Sequence, residues 1–517
     1  MTTPAQPVVT DAASVLLSRG PGSTEVYLVR RADNLRFFGG FVAFPGGKVA
    51  TEDAVVGQTF LSAAPARQTG MSTPQLTPRH VAAVRELFEE TGVLLARTAD
   101  GSFPPTSPEI AHAREELNAG RVSFTAILTR FNLTMRADDL TFAGTLVTPP
   151  FSPIRFATGF FVADLPPGQV PEVWPGELAD GFWHDAGAAL DDWTGGGLLL
   201  SPPTVSLLEA VRGRPVEELP ERLRPLLALL NPGVIPPIWS APAVCMIPLF
   251  SRGLPPALYT NAFLAGTANP YLIDPGPVDA DEQQRLFAAL DAALAGRQLA
   301  GVLLTHHHPD HVGAAAVCAA RHTVPVHAHA LTARLLEGKV RVDRLLTDGD
   351  RLDLGPAPDG VGRWHLEAVH TPGHAPGHLV FWEPKYRLLF AGDMISTLTS
   401  MVVMPPDGDL TAYLESLRRL QTLPARLLLP AHGGPSARPA FVLEESLAHR
   451  AKREAQLLEA LRTGPRCIPE MALEIYRGLP ANLMKFGELQ LLAGLQKLER
   501  EGRARAVDGP AWALASE

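Results

Sequence analysis

Four histidines and one aspartate lie within six residues, directly after an apolar segment, residues 299–304, that predicts a buried strand. They are His306, His307, His308, Asp310 and His311. Imidazole nitrogen and carboxylate oxygen are ligands that suit Zn²⁺. On a loop leaving a strand, His306 and His308 point the same way, and Asp310 and His311 begin the next turn. The spacing therefore predicts two adjacent half-sites, each of which still lacks ligands.

Further ligand candidates occur downstream, each at the end of its own apolar segment. They are His374, Asp393 and His432. His378 is a candidate to orient His374, because ligating histidines usually donate their other N–H group to a partner. A histidine-rich surface tract is the alternative interpretation. That alternative does not explain why the distant candidates follow in order at strand ends.

This order of residues resembles the metallo-β-lactamase superfamily, and the segment 271–276 resembles the first motif of that family. The resemblance covers about residues 243–445 and implies an αββα sandwich that binds two zinc ions. For one ion it implies the ligands His306, His308 and His374. For the other it implies Asp310, His311 and His432, with Asp393 bridging the two ions.

A zinc pair of this kind implies a hydrolase, because Zn²⁺ lowers the pKa of a bound water molecule to about 7. Asp310 is then a catalytic candidate as well as a ligand, since its carboxylate can orient the water and pass protons. The ligands do not fix the substrate, because members of the superfamily cleave thioesters, lactams, lactones and RNA.

A second chemical focus lies in residues 80–95, where apolar side chains recur at helical spacing. Glu86, Glu89 and Glu90 fall at positions i, i+3 and i+4, so their carboxylates share one face of the predicted helix. Adjacent carboxylates repel one another unless a cation lies among them. A solvated helix face is the alternative interpretation. Gly92 is expected to end the helix.

The segment 85–93 resembles the core of the Nudix box, and Gly46 followed six residues later by Glu52 resembles its opening. The resemblance implies an α/β/α sandwich in which the three glutamates hold Mg²⁺ or Mn²⁺, with Glu89 and Glu52 as catalytic candidates. The arginine of the box is expected to orient a glutamate. The family usually has seven residues between Glu52 and this arginine, but here the extra residues, about 53–79, are predicted to form a loop.

An upstream motif resembles, in its spacing, that of the Nudix coenzyme A diphosphatases. Its residues are Arg31, Arg36, Gly46 and Gly47. By this resemblance they are candidates to bind coenzyme A or a nucleoside diphosphate derivative. The alternative is a strand–turn connection with incidental arginines.

The 517 residues predict an α/β and α+β multidomain protein. A Nudix-like domain is expected at 1–230, a Pro-rich linker at 231–242, a metallo-β-lactamase-like domain at 243–445 and a small domain at 449–517. The small domain resembles the winged helix that follows the catalytic domain in the β-lactamase-like-protein-2 branch. It holds 11 Lys and Arg against 9 Asp and Glu. This balance favours a packing or dimer role over contact with nucleic acid.

The composition restricts the class of protein. A net charge of −9 argues against a protein that coats nucleic acid by charge alone. The chain lacks an apolar run of about 18 residues and a basic-then-apolar start, so neither a membrane span nor a secretion signal is expected. Three scattered cysteines fit a reducing cytoplasm.

These observations favour a bifunctional metal-dependent hydrolase that acts on small molecules. A zinc hydrolase of the thioester or phosphodiester class would be joined to a Nudix diphosphatase, and coenzyme A derivatives would unite the two halves. The alternative is an endoribonuclease-like zinc hydrolase, with the winged helix guiding single-stranded RNA and the Nudix half serving as a non-catalytic binding module. A homo-oligomer is compatible with either hypothesis.

Overall fold

A computed structural model describes residues 8–35, 38–62, 71–230, 237–251, 253–507 and 509–515. The chain divides into two compact units, Met1–Pro242 and Ala243–Glu517. The division falls at the end of the predicted linker, of which residues 231–236 lie outside the described residues.

The first unit contains a seven-stranded sheet and seven α-helices among its described residues. The sheet strands are β1 (Val9–Ser18), β2 (Glu25–Arg31), β3 (Val42–Ala43), β4 (Gly46–Lys48), β5 (Thr141–Val147), β6 (Arg155–Asp164) and β7 (Leu178–Asp185). The helices are α1 (Asp53–Phe60), α2 (Thr73–Thr91), α3 (Pro108–Asn118), α4 (Phe124–Arg130), α5 (Ala186–Thr194), α6 (Pro202–Ala210) and α7 (Leu219–Leu230). A short strand, β8 (Ile238–Ala241), precedes the unit boundary.

The sheet has the order β3-β2-β1-β6-β5, with β4 paired to β1 and β7 paired to β2. β1 and β6 run parallel, and the other pairs are antiparallel. Side chains along β1 alternate between two apolar cores. Leu17 packs in the core that contains Leu87 of α2, whereas Leu16 packs in the core that contains Leu207 of α6. Helices therefore cover both faces, which is the α/β/α layering expected from the sequence.

The expectation of a loop over residues 53–79 is wrong for much of that segment. Helix α1 and the first turns of α2 occupy it, and residues 63–70 lie outside the described part. The apolar residue Val56 is buried, and a Cβ atom on Gly57 would lie 2.4 Å from Thr77 Cγ2. α1 therefore packs closely on α2, and this tertiary contact stabilises a helix that the Ala- and Thr-rich composition did not indicate.

The second unit begins with two sheets and six helices. The first sheet contains β9 (Val244–Phe250), β10 (Tyr259–Ala265), β11 (Tyr271–Ile273), β12 (Gly301–Leu303), β13 (Val326–His329) and β14 (Arg344–Leu346). The second contains β15 (Arg351–Pro356), β16 (Arg363–His370), β17 (Leu379–Glu383), β18 (Leu388–Ser396) and β19 (Leu427–His432). The helices are α8 (Ala280–Leu294), α9 (Pro309–Val312), α10 (Ala315–His322), α11 (Ala330–Leu335), α12 (Leu410–Gln421) and α13 (Pro439–Leu461).

The two sheets of this unit pack face to face with helices outside them. Phe263 of β10 meets Phe390 of β18 edge to face, with ring centroids 5.4 Å apart. Tyr413 of α12 and Leu443 of α13 share a buried core with Leu428 of β19. On the other side, α8 and α10 contact strands of the first sheet. This αββα arrangement confirms the fold predicted for the zinc-binding segment.

The tail of the unit forms a small helical domain with a three-stranded sheet. Its elements are β20 (Arg466–Cys467), α14 (Ile468–Ile475), α15 (Met484–Arg500), β21 (Ala504–Ala506) and β22 (Ala511–Leu514). Its core contains Leu457 of α13, Met471, Leu495 and Trp512. The small domain was expected to begin at residue 449, but helix α13 begins at Pro439 and runs without a break across that boundary.

Within the part of the chain that the structure describes, no helix combines the length and the apolar composition needed to cross a membrane.

Candidate metal centre

Strand ends position the ligand candidates of the second unit. The loop after β12 carries His306 and His308, and β18 and β19 carry Asp393 and His432. His374 lies in the loop between β16 and β17. Because the strands belong to two sheets packed face to face, their ends meet along one edge of the sandwich.

His306, His308 and His374 form the first cluster of ligand atoms. His306 Nε2 and His374 Nε2 each lie 2.9 Å from His308 Nδ1. Two ligand atoms bound tetrahedrally at ~2.1 Å from one zinc ion would lie ~3.4 Å apart, and somewhat closer at smaller angles. The three nitrogens are therefore spaced as ligands of a single ion.

Asp310, His311 and His432 form the second cluster. Asp310 Oδ2 lies 3.5 Å from His432 Nε2 and 3.8 Å from His311 Nε2. All three ligand atoms lie within 4.8 Å of one another. His311 is fully buried, whereas the Asp310 side chain is 22% exposed.

Asp393 joins the two clusters through its two carboxylate oxygens. Oδ1 lies 3.4 Å from His311 Nε2 and 3.3 Å from His432 Nε2. Oδ2 lies 3.4 Å from His374 Nε2. One carboxylate therefore faces both clusters, as a bridging ligand must.

The donor set fits a pair of cations. Asp393 Oδ1 and His311 Nε2 are buried, and neither forms a hydrogen bond of acceptable geometry with the described residues. Buried polar atoms without partners are rare in folded proteins, because each loses its hydration without compensation. A zinc ion would satisfy both atoms, and imidazole and carboxylate are ligands that it takes.

Hydrogen bonds to the outer nitrogens fix the orientation of three imidazoles. His374 Nδ1 donates to Val402 O at 2.7 Å, and His432 Nδ1 donates to Tyr259 O at 2.8 Å. His311 Nδ1 donates to Asp274 Oδ2 at 2.9 Å. Each ring then turns its Nε2 toward the clusters, which is the usual arrangement of metal-binding histidines.

The electrostatics of the two clusters differ. Burial lowers the pKa of His306 well below its ordinary value and the pKa of His308 to about 4, so both rings are neutral and have free lone pairs. Burial alone would also lower the pKa of His311, but the carboxylates of Asp393, Asp310 and Asp274 raise it well above its ordinary value. The second cluster therefore holds the excess negative charge that attracts a cation.

His378 does not orient His374 as the sequence suggested. Its Nε2 accepts a hydrogen bond of 3.1 Å from the Asp393 backbone N–H, and its Nδ1 donates to Thr371 Oγ1 at 2.9 Å. Its ring centroid is 6.3 Å from that of His374. His378 therefore supports the backbone of the bridging aspartate. A Cβ atom on Gly392, which has φ +49°, would lie 2.6 Å from His378 Nε2.

Asp407 is a contact of the site that the sequence did not indicate. Its Oδ2 lies 3.2 Å from His307 Nε2 and 3.8 Å from His308 Nε2. The residue follows two prolines in a loop far along the chain, and no spacing pattern links it to the histidines.

Helix α2 of the first unit carries the three glutamates, and its Arg85 binds two of them. Its guanidinium donates to Glu86 Oε1 at 2.8 Å, to Glu89 Oε2 at 2.9 Å and to both oxygens of Asp53 at 3.0 Å. The arginine of the box therefore orients glutamates, as expected. Burial raises the pKa of Glu86 to about 7, and Arg85 opposes this shift.

Glu90 points elsewhere, toward the glycine turn. Its Oε2 accepts a hydrogen bond of 2.8 Å from the Gly46 N–H, and burial raises its pKa to about 8. A Cβ atom on Gly47 would overlap the Glu86 carboxylate as Arg85 holds it, so glycine allows this approach without a shift of that side chain. Glu52 occupies the N-cap position of α1.

The predicted ligands of the Mg²⁺ or Mn²⁺ site in this unit do not converge on one point, so the structure does not support that site. Among the described residues, the carboxylates of Glu86, Glu89 and Glu90 do not bring three ligand atoms within 4.8 Å of one another. The reason is that Arg85 holds two of them and Gly46 holds the third. Arg31 lies in β2, and Arg36 lies outside the described residues.

Two family models match the second unit. The metallo-beta-lactamase superfamily model matches residues 255–432, and the beta-lactamase associated winged helix domain model matches residues 468–512. The second match confirms the winged-helix prediction.

Curated relatives match the same part of the chain. A hydroxyacylglutathione hydrolase of Bdellovibrio bacteriovorus is 33% identical over 25% of this chain and 47% of its own. The beta-lactamase-like protein 2 homolog of Caenorhabditis elegans is 28% identical over 39% of this chain and 65% of its own. The lactamase-like protein adaB of Aspergillus niger is 30% identical over 43% of this chain and 69% of its own. The chain thus spans about half to two thirds of the length of these relatives.

A Nudix hydrolase structure from Alicyclobacillus acidocaldarius is 29% identical to this chain, covering 40% of this chain and 93% of that one, with a TM-score of 0.36. Nudix membership of the first unit stays a prediction. For the second unit the matched model, the relatives and the ligand clusters agree, and the chain belongs to the metallo-beta-lactamase superfamily.

Proposed function

We propose that the second unit is a hydrolase that uses two zinc ions. The observation that carries the proposal is the Asp393 carboxylate, whose two oxygens face separate ligand clusters. When bound, Zn²⁺ supplies a water molecule of lowered pKa and stabilises negative charge on a substrate oxygen. One ion would be held by His306, His308 and His374, and the other by Asp310, His311 and His432.

Asp310 is proposed to orient the water and to accept its proton. Its side chain is 22% exposed, whereas the Asp393 side chain is 7% exposed. The Asp310 Oδ2 atom lies beside His432 Nε2, with a separation of 3.5 Å. A carboxylate that lies in the ligand cluster and also reaches solvent can exchange protons with bulk water.

A thioester is the proposed substrate class. Its support is that relatives named hydroxyacylglutathione hydrolase match this part of the chain. A thioester of coenzyme A belongs to the same reaction class. The competing proposed substrate is a phosphodiester of single-stranded RNA. The match to a winged-helix domain is the reason to test it.

One screen separates these substrates. The full-length chain loaded with zinc is given an acyl-glutathione, an acyl-coenzyme A and a single-stranded RNA. We expect thiol release from a thioester, no RNA cleavage, and about two zinc ions per chain. Thiol release with fewer than two ions, or RNA cleavage without thiol release, would contradict the proposal.

For the first unit we propose a Mg²⁺- or Mn²⁺-dependent diphosphatase that acts on coenzyme A or a nucleoside diphosphate derivative. Support comes from the resemblance of residues 85–93 to the Nudix box, and from Arg85, which orients Glu86 and Glu89 as the arginine of that box is expected to do. Arg31, Gly46 and Gly47 are the proposed binding residues near this helix, and Glu52 and Glu89 the catalytic ones.

The test of this second proposal uses the full chain and Mg²⁺ with coenzyme A, and follows diphosphate cleavage. Glu89→Gln removes one carboxylate charge and is expected to abolish that cleavage while leaving thioester hydrolysis intact. Unchanged diphosphate cleavage in Glu89→Gln would overturn the assignment, and absence of cleavage in the parent chain would favour a non-catalytic binding module.

A further inference from the structure

The loop 401–409, the later part of the connection between β18 and α12, contacts the first ligand cluster at two points. Val402 O accepts the hydrogen bond from His374 Nδ1, and Asp407 Oδ2 lies 3.8 Å from His308 Nε2. The loop also reaches the residue before His374, because the Asp409 N–H donates to Gly373 O at 2.8 Å. Both rings therefore have an outer nitrogen turned toward this one loop.

The outer hydrogen-bond partners of the two histidines in the second cluster lie outside this loop. His311 donates to Asp274, and His432 donates to Tyr259 O. Neither partner belongs to residues 401–409. The loop can therefore affect one ligand cluster without directly touching the outer partners of the other.

Two arginines also contact this loop. Arg450 of α13 is 8% exposed; it donates to Met401 O and, at 3.1 Å, to Gln490 Oε1 of α15. Arg500, the last residue of α15, donates through both terminal nitrogens to the Asp409 carboxylate, with one separation of 3.0 Å. Both arginines lie beyond the residues matched by the superfamily model, and Arg500 lies within the winged-helix match.

We infer that Arg450 and Arg500 are positioning residues, through which the winged-helix part fixes loop 401–409 and thereby the orientation of His374 and His308. The inference rests on the proposed two-zinc function, because it assigns the effect to one of the two ions. Outer hydrogen-bond partners of ligating histidines set ring orientation, and their loss typically weakens metal binding 10- to 100-fold. Arg450 and Arg500 act one step further out, so their effects should be smaller.

The test measures zinc affinity, not only activity. Apo-protein is titrated with Zn²⁺ in competition with a chromophoric chelator of known affinity, which separates the two equivalents. We expect Arg450→Met to weaken one equivalent about 5-fold and Arg500→Ala to weaken it about 3-fold, because the Arg500–Asp409 ion pair is exposed. Arg500→Lys keeps the charge and should recover most of the affinity. The other equivalent should not change in any variant.

Arg462→Ala is the matched control, since Arg462 caps the C-terminal end of the same helix and forms an exposed ion pair with Glu459. It should leave both equivalents unchanged. Equal weakening of both equivalents, or no weakening of either in Arg450→Met and Arg500→Ala, overturns the inference. If Arg450→Met fails to fold by circular dichroism, the exposed Arg500 carries the test alone. A parent chain that binds fewer than two equivalents refutes the proposed function instead.

Discussion

Asp274 Oδ2 accepts a hydrogen bond of 2.9 Å from His311 Nδ1, and both side chains are buried beneath the second ligand cluster. Asp274 also accepts from the Thr305 N–H at 2.8 Å and from Thr305 Oγ1 at 2.6 Å. It has φ +48°, a backbone conformation that aspartate tolerates better than most residues. One carboxylate thus fixes a ligand and the start of the histidine loop together.

Asp274→Asn should therefore weaken zinc binding at the second cluster by about 10- to 100-fold. The amide has a single acceptor oxygen, whereas Thr305 and His311 present three donors to the native carboxylate. Zinc titration of the apo-protein measures the effect. Asp291→Asn, in an exposed ion pair with Arg321, is the control and should bind zinc as the parent does.

Asp393→Asn should reduce the affinity for both zinc equivalents and reduce hydrolysis on the order of 100-fold or more. The substitution removes the charge that faces His311, His432 and His374 at 3.3–3.4 Å. Metal analysis after dialysis and steady-state kinetics report the two effects. A variant that retained both metals and full activity would show that this carboxylate does not bridge them. Asp359→Asn, which alters a pair with Lys385, serves as the control.

Gly392→Ala should lower the free energy of unfolding by about 2 kcal/mol or more. The new Cβ atom would lie 2.6 Å from His378 Nε2 and 3.0 Å from Thr305 Cβ, at a residue with φ +49°. Gly434→Ala makes a matched comparison, since its Cβ atom would have no neighbour within 4 Å. Urea denaturation of the two variants should separate them clearly, and equal midpoints would contradict the steric argument.

His327 should make stability depend on pH. Its side chain is buried, neither ring nitrogen has a partner among the described residues, and burial lowers its pKa to about 4 from the ordinary 6.5. Between these values the unfolded chain binds a proton that the folded chain does not, so stability falls as pH falls from 6.5 to 4. His327→Leu should reduce this slope in melting temperatures measured from pH 7.5 to 5. Parallel curves for parent and variant would refute the assignment.

Arg85→Ala should destabilise the chain by about 3–5 kcal/mol, because it leaves the fully buried Asp53 carboxylate without its partner. Arg130→Ala, which removes an exposed pair with Glu116, should cost less than about 1 kcal/mol. Chemical denaturation monitored by circular dichroism measures both. Similar losses in the two variants would mean that Asp53 finds another partner.

The candidate ligands could be predicted from the sequence because metal-binding residue types follow apolar segments, as at His306 and Asp393. Their outer partners could not be predicted in the same way. Val402 and Tyr259 contribute backbone carbonyl oxygens, which every residue type possesses, so their identity depends on the folded path of the chain. Asp407 carries a suitable side chain, but only the tertiary structure places it beside His307.

Element boundaries were the weaker part of the fold prediction. Helix α1 lies in a segment expected to be a loop, because packing against Thr77 outweighs its local composition. In the first unit, the equal spacing of Glu86, Glu89 and Glu90 suggested a common cation site. The buried Arg85 and the Gly46 N–H instead divide the three carboxylates, and neither contact can be inferred from helical spacing alone.

The uninterrupted course of α13, Pro439–Leu461, has a practical consequence for dissecting the second unit. Leu443 is buried near the start of this helix and Leu457 near its end, each in a different apolar core. A truncation at residue 445 would cut helix α13 and remove side chains that pack in both cores. The smallest excisable fragment that keeps the zinc ligands intact therefore includes the tail, and the two parts should melt in one cooperative transition.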